Sequence, residues 1–227
     1  MPYYVSPEQV MKDRADYARK GIARGRSIVA IESAPGILIV AENPSATLHK
    51  IGELYDRIAF AAVGKYNEFE NLRIAGVRLA DMKGYSYGRE DVTAKAIANA
   101  YAQAIGSVFT EQMKPFEVEV LVAQVGATQD RDELYRVVYD GSLYDETGFM
   151  AMGGHAEALV DLLSQGYQPG LDLPAATKLG IEALKSASGE ERELDPDALE
   201  VALLAREAPR RAFRRLESPE IAQLLQG

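Results

Sequence analysis

Apolar runs of five to eight residues, rich in Val and Ile, occur in clusters along this chain, and that grouping limits its possible folds more than any other feature. Ser27-Ile28-Val29-Ala30-Ile31 and Ile37-Leu38-Ile39-Val40-Ala41 flank the turn residues Ala34-Pro35-Gly36 and read as a hairpin. Lys50 to Tyr55 is ambiguous, but Ile58 to Val63 reads as a buried strand ending at Gly64. Two helical spacings follow. The first, from Lys65 to about Ala80, carries Phe69, Leu72, Gly76 and Leu79; the second runs from about Asp91 to Gln112 on a seam of Ile97, Ala100, Tyr101, Ala104, Ile105 and Val108. At a rise of 1.5 Å per residue the second would be about 33 Å long, enough to cross a sheet. Strand patterns return at Phe116 to Ala123 and at Glu133 to Tyr139, which precedes the turn pair Asp140-Gly141, with a short run near Phe149 to Met152. Gly153-Gly154 turns into a helix with Leu159, Leu162 and Leu163, and Asp172 caps another with Ala176, Leu179, Ala183 and Leu184. After a polar break at 186–197, Leu199 to Leu204 and Ala212 to Leu216 are the last strands.

Strands grouped before and after paired helices exclude a doubly wound parallel sheet, in which the two alternate one by one. The order predicts an α+β fold, with two largely antiparallel sheets packed face to face and helices on both outer surfaces. In such a four-layer αββα sandwich the strands are buried on both sides, which is why they read as continuous apolar runs.

An additional helix stands in front. Ser6 suits an N-cap, Pro7 the first turn, and Gln9 follows Ser6 at capping-box spacing. Met11, Ala15, Ala18 and Ile22 form one apolar seam, and Gly21 and Gly25 offer stops.

Residue chemistry mostly excludes. With no cysteine and only His49 and His155, there is no thiolate cluster and no paired-histidine metal motif, so no metal site and no cofactor are predicted. Neither a P-loop, a GxGxxG nor a GxSxG elbow is present. A net charge of −9 argues against an extended nucleic-acid surface, and Arg210, Arg211, Arg214 and Arg215 read as a solvated edge or a subunit contact. No apolar run approaches the ~20 residues of a membrane span, and the start MPYYVSPEQ lacks the regions of a signal peptide, which predicts a cytoplasmic protein. Glu117 and Glu119 share one strand face that reads as its wet side, while Tyr85 and Tyr87 read as a binding loop or a contact surface. By its residues the chain looks built to assemble.

The runs SPEQVMKDRADYARKGIARGRSIVAI, GILIVAENPSATLHKIGELYDRIAFAAVGKYNEFENLR and ANAYAQAIGSVFTEQMKPFEVEVLVA resemble the α subunits of the 20S proteasome, the actinobacterial form most closely, from about Tyr3 to Leu216. The resemblance implies the N-terminal-nucleophile hydrolase fold and a homoheptameric ring stacked on a ring of catalytic β subunits. It divides the single domain 1–227 into a gate tail (1–6), a leading helix (7–20), the sandwich (26–216) and a C-terminal tail (217–227).

The same fold carries self-processing threonine or serine peptidases, the alternative reading. In the similar β subunits cleavage at a Gly-Thr bond exposes a threonine whose own amine is the base. Here Gly25 matches the residue before the cut and Arg26 the nucleophile, and a guanidinium cannot attack a carbonyl. Ser27 comes one residue late, while Glu42 and Lys50 match the acidic and lysine positions of that site. The resemblance therefore implies a subunit with no catalytic residue. It further implies that Met1, Pro2, Tyr3, Tyr4, Val5 and Ser6, turned by Pro7, form the gate, and that Lys50 pairs with the C-terminal carboxylate of an activator. The implied partners are neighbouring α subunits, the β ring, a ring-shaped AAA+ ATPase and the tagged proteins it threads inward.

Overall fold

The computed structural model describes residues 6–187 and 194–226. Among these residues ten strands form two five-stranded sheets, every pairing antiparallel. The first has the order β10-β9-β2-β1-β8, from β1 (Ile28–Ser33), β2 (Gly36–Glu42), β8 (Phe149–Met152), β9 (Leu199–Ala205) and β10 (Phe213–Leu216). The second runs β3-β4-β5-β6-β7, from β3 (Ile51–Tyr55), β4 (Ile58–Gly64), β5 (Val118–Gln124), β6 (Glu133–Val137) and β7 (Leu143–Glu146). Helices α2 (Tyr66–Ser86) and α3 (Ala94–Glu111) cover the second sheet, and α4 (Ala156–Gly166) and α5 (Leu173–Ser186) cover the first.

Alternation along each strand divides the core between these layers. Ile28, Ala30, Ile37 and Ile39 point between the sheets, where they meet Ile51, Ala61, Leu121 and Leu134. Their neighbours Val29, Ile31, Leu38 and Val40 point the other way, under Leu159, Leu163, Ile181 and Leu184 of α4 and α5. Phe60, Val120 and Val122 lie against Phe69, Ile97, Tyr101 and Ile105 of α2 and α3. The αββα architecture read from the grouped strands, with a helix α1 (Pro7–Ala23) in front, is the one observed.

Several boundaries differ from the sequence reading, each for a local reason. Helix α1 does not stop at Gly21: a Cβ there would stand 2.8 Å from Glu117 Cβ, so this glycine lets the helix approach β5. The long central helix begins only at Ala94, because Thr93 is its N-cap and 89–91 is a separate 3-10 turn. Its buried seam is Ala94, Ile97, Ala98, Tyr101 and Ile105, whereas Ala104 is exposed. Strand β7 escaped notice because Leu-Tyr-Asp-Glu at a sheet edge is half polar; the signal was Asp140-Gly141, where Gly141 takes φ 86° and Ser142 N–H donates to Asp140 at 2.8 Å. The segment 217–227 carries a helix, α6 (Ser218–Gln226), whose Ile221 is buried with α5. Glu119 is not on a wet face: it is 7% exposed, points between the sheets and pairs with Arg136 at 3.1 Å.

The end of the sandwich remote from α1 is closed by charge. Arg206 forks onto Asp132 at 2.7 and 2.8 Å and also donates to the carbonyls of Ser33, Ala34 and Gly126. Next to it Glu32 is 5% exposed, and burial is the main force pushing its carboxyl up to about 7, with Asp132 adding to the rise and the Gly148 N–H and Arg206 opposing it. A carboxyl whose pKa is higher folded than unfolded contributes stability that is complete below about 4.5 and is lost as pH rises to about 7. The unfolding free energy of the parent, measured against Glu32→Gln, should therefore fall across that window and level off above it. A difference that stays constant from pH 4.5 to 8 would refute this assignment.

Candidate functional site

The short link from α1 to β1 places the residues of interest. Helix α1 is anchored at its C-terminal end, where Ala18 and Ile22 are buried, and the chain turns through Gly25 into Arg26 and the buried Ser27. Strand β2 runs antiparallel to β1, with Ile28 opposite Ala41, and brings Glu42 beside this link. Glu42 is 6% exposed, and the Arg26 guanidinium donates to its carboxylate.

Lys50 arrives from the start of β3, on the other sheet. Its backbone position is set by Glu200, a buried carboxylate of β9 that accepts from Lys50 N at 2.8 Å, Ile51 N at 3.2 Å and Asn43 Nδ2 at 2.7 Å. Arg215 of β10 pairs with the same carboxylate and donates to the Ile51 carbonyl. Asn43 also donates to Leu48 O at 2.7 Å, closing the 43–48 loop. With its backbone held, the half-buried Lys50 side chain reaches across so that Nζ donates to Arg26 O at 2.7 Å. Burial lowers the ammonium pKa to about 8; Glu200 and Glu42 oppose that fall and Arg26 adds to it.

Chemically this cluster is a set of cationic donors. The guanidinium of Arg26 is occupied by Glu42 and is no nucleophile; Ser27 is 7% exposed on the wall of a cavity of about 280 Å³ shared with Arg24, Arg26, Glu42 and His155. Lys50 carries three donors, of which Arg26 O takes one, so an incoming carboxylate can be received without breaking the existing bond.

The other residues singled out by the sequence lie apart from this cluster. Ser6 caps α1, its hydroxyl accepting from Gln9 N at 3.2 Å, and Pro7 is the first helical residue. Met1, Pro2, Tyr3, Tyr4 and Val5 lie outside the described residues. Tyr85 and Tyr87 are 95% and 81% exposed at the end of α2. The arginine-rich segment is not one basic surface: Arg211 pairs with Glu53, Arg214 with Glu220 and Arg215 with Glu200. Sequence reasoning missed Glu200 and read Arg215, its partner, only as part of a solvated edge or subunit contact; the available signal for Glu200 was a charge inside the otherwise apolar run Leu199-Glu200-Val201-Ala202-Leu203-Leu204. Among the described residues no cluster of His, Asp and Glu could hold a metal ion, and no helix is long and apolar enough to cross a membrane.

Comparison with known proteins matches residues 22–204 to the family described as proteasome subunit. The chain is 58% identical over 226 residues to a proteasome subunit alpha of Thermobifida fusca, covering 100% of this chain and 91% of that one. It is 58% identical over 232 residues to that of Kineococcus radiotolerans, covering 100% and 98%. With the Sanguibacter keddieii protein of the same name the identity is 60% over 227 residues, covering 99% and 89%.

Proposed function

This chain belongs to the proteasome subunit family, among its actinobacterial α subunits, and from that premise we propose that it is a non-catalytic gating and docking subunit of a 20S core. Seven copies form the outer ring of an α7β7β7α7 particle in the cytoplasm. That ring caps the ring of threonine-type catalytic β subunits, admits unfolded substrates through the gap between its N-terminal tails, and receives the C-termini of a ring-shaped AAA+ ATPase beside Lys50. The observation that carries this reading is Arg26, locked onto the buried Glu42 at the first position of the sandwich, with α1 packed in front of it through Ala18 and Ile22. A self-processing hydrolase would have to cut after Arg26, one residue late, to expose Ser27, and that cut would remove α1. Along with the helix it would discard the burial of Ala18 and Ile22.

Native mass spectrometry with and without the β subunit tests the assembly. Seven chains of 24.8 kDa make a ring of about 174 kDa, and mixing with β subunits should yield a particle holding two such rings, each chain retaining α1. A chain that stays monomeric beside assembled β rings, or loses its first 25 residues on assembly, would overturn the proposal.

A further inference from the structure

The secondary structure leaves two flanks of the sandwich open. Helices α2 to α5 cover the outer sheet faces, α1 lies at one end, and the Arg206 cluster closes the other. Strands β3 and β10 are the sheet edges on one flank, β7 and β8 on the opposite one. Between β3, β10 and α2 runs a groove of about 580 Å³, and the Arg215 guanidinium, donating to the Ile51 carbonyl, ties these two edges together. On the opposite flank two adjoining grooves, of about 610 and 590 Å³, run from α1 past β7 to β8 and α4 and share Arg136 and Glu157.

The flanks differ in charge. On the β7/β8 side Arg136 is divided between Glu119 and Glu146, while Asp140, Glu157 and Asp161 have no ion pair among the described residues, so carboxylates are in excess. Arg19, over the Tyr139 ring, is the other cation there. Tyr144 and Val160 are exposed beside those acids. The β3/β10 side is balanced, but it turns its cations outward: Arg211 and Arg89 are 73% and 51% exposed, against 26% for their carboxylates Glu53 and Asp56. A guanidinium has five donors, so each can take a second carboxylate without leaving the first. Arg210 stands at the same rim. The Asp56 carboxyl is held below its usual range chiefly by its hydrogen bond from Arg89, and Arg210 adds to that fall.

A closed ring of identical chains joins two different patches, each copy offering one to either neighbour. We propose that the ring closes by seating the acidic β7/β8 flank of one copy on the arginine-fronted β3/β10 flank of the next. This rests on the heptameric ring proposed above. The test is native mass spectrometry of particles assembled with β subunits at low salt. Arg210→Glu with Arg211→Glu should lower the ring fraction about tenfold, and so should Glu157→Lys with Asp161→Lys, because each brings like charges face to face. The chain carrying all four substitutions should recover to within about threefold of the parent, since opposite charges then meet again. Hydrogen exchange of the unaltered chain, before and after assembly, decides the matter where a variant fails to fold: amides of 155–162 and 209–214 should both slow. Reversed variants that assemble as well as the parent, a fourfold variant that recovers nothing although every variant keeps the parent's melting temperature, or exchange that slows on neither flank would each overturn this pairing and leave the ring standing. A parent chain that forms no ring refutes the ring itself.

Discussion

Removing residues 1–6 should raise small-peptide hydrolysis by the assembled particle about tenfold, equivalent to a bias of about 1.4 kcal/mol toward a closed pore. The direction follows from where the segment begins. Ser6 is the N-cap of α1, and Pro7, whose φ is fixed by its ring, starts the helix, so the segment to be removed ends where a stiff element begins. The tail itself, Met-Pro-Tyr-Tyr-Val-Ser, offers two aromatic rings in six residues. Under the proposed gating role, seven such tails meeting at one axis would close a pore through apolar contact with few buried backbone bonds in fixed geometry, which makes a weak and reversible closure the expectation. Casein, which must be threaded, and a tetrapeptide, which only diffuses, serve as paired substrates: both should gain from the deletion. Rates equal to the parent's for both would remove the gate from this chain's function.

Lys50→Ala should abolish stable docking of the activator while leaving the particle assembled. A charge-assisted hydrogen bond to a carboxylate is worth about 1.5–3 kcal/mol, or about 10- to 100-fold per slot. Because a ring engages several slots at once, the loss compounds through avidity, and binding measured for the whole activator should fall by far more than that of a single C-terminal peptide. Assembly should survive, since Glu200, not the Lys50 side chain, fixes the local backbone. The pH dependence has a definite sign. With its pKa lowered to about 8, chiefly by burial, Lys50 is charged below that value and loses its proton above it, so peptide affinity should hold at pH 7 and weaken between pH 8 and 9. Lys50→Arg should remove that decline, because a guanidinium stays protonated throughout. Undiminished activator affinity in Lys50→Ala particles would reject the docking assignment.

Most of the fold was legible in the chain itself because both sheets are buried on both faces. Residues such as Val29 and Ala30 point to opposite layers and are apolar for different reasons, and the resulting unbroken runs mark internal strands. Legibility fell where one face meets solvent or where a neighbour decides. The edge strand β7 carried no strand pattern to read, and Glu119 looked solvated because nothing local announces Arg136 across the sheet. Gly21 read as a helix stop when its role is to clear Glu117, almost a hundred residues later.

The same division runs through the functional residues. Local sequence alone determined the capped helix ahead of the sandwich and the proline in its first turn, since caps and prolines act within a few bonds of where they are written. Only the tertiary structure decided that Glu200 seats Lys50 and that Lys50 reaches the carbonyl of Arg26. Those partners are 150 and 24 residues apart. Buried charges must find partners wherever the packing of two sheets and their helices places them, and no periodicity along the chain encodes such a meeting.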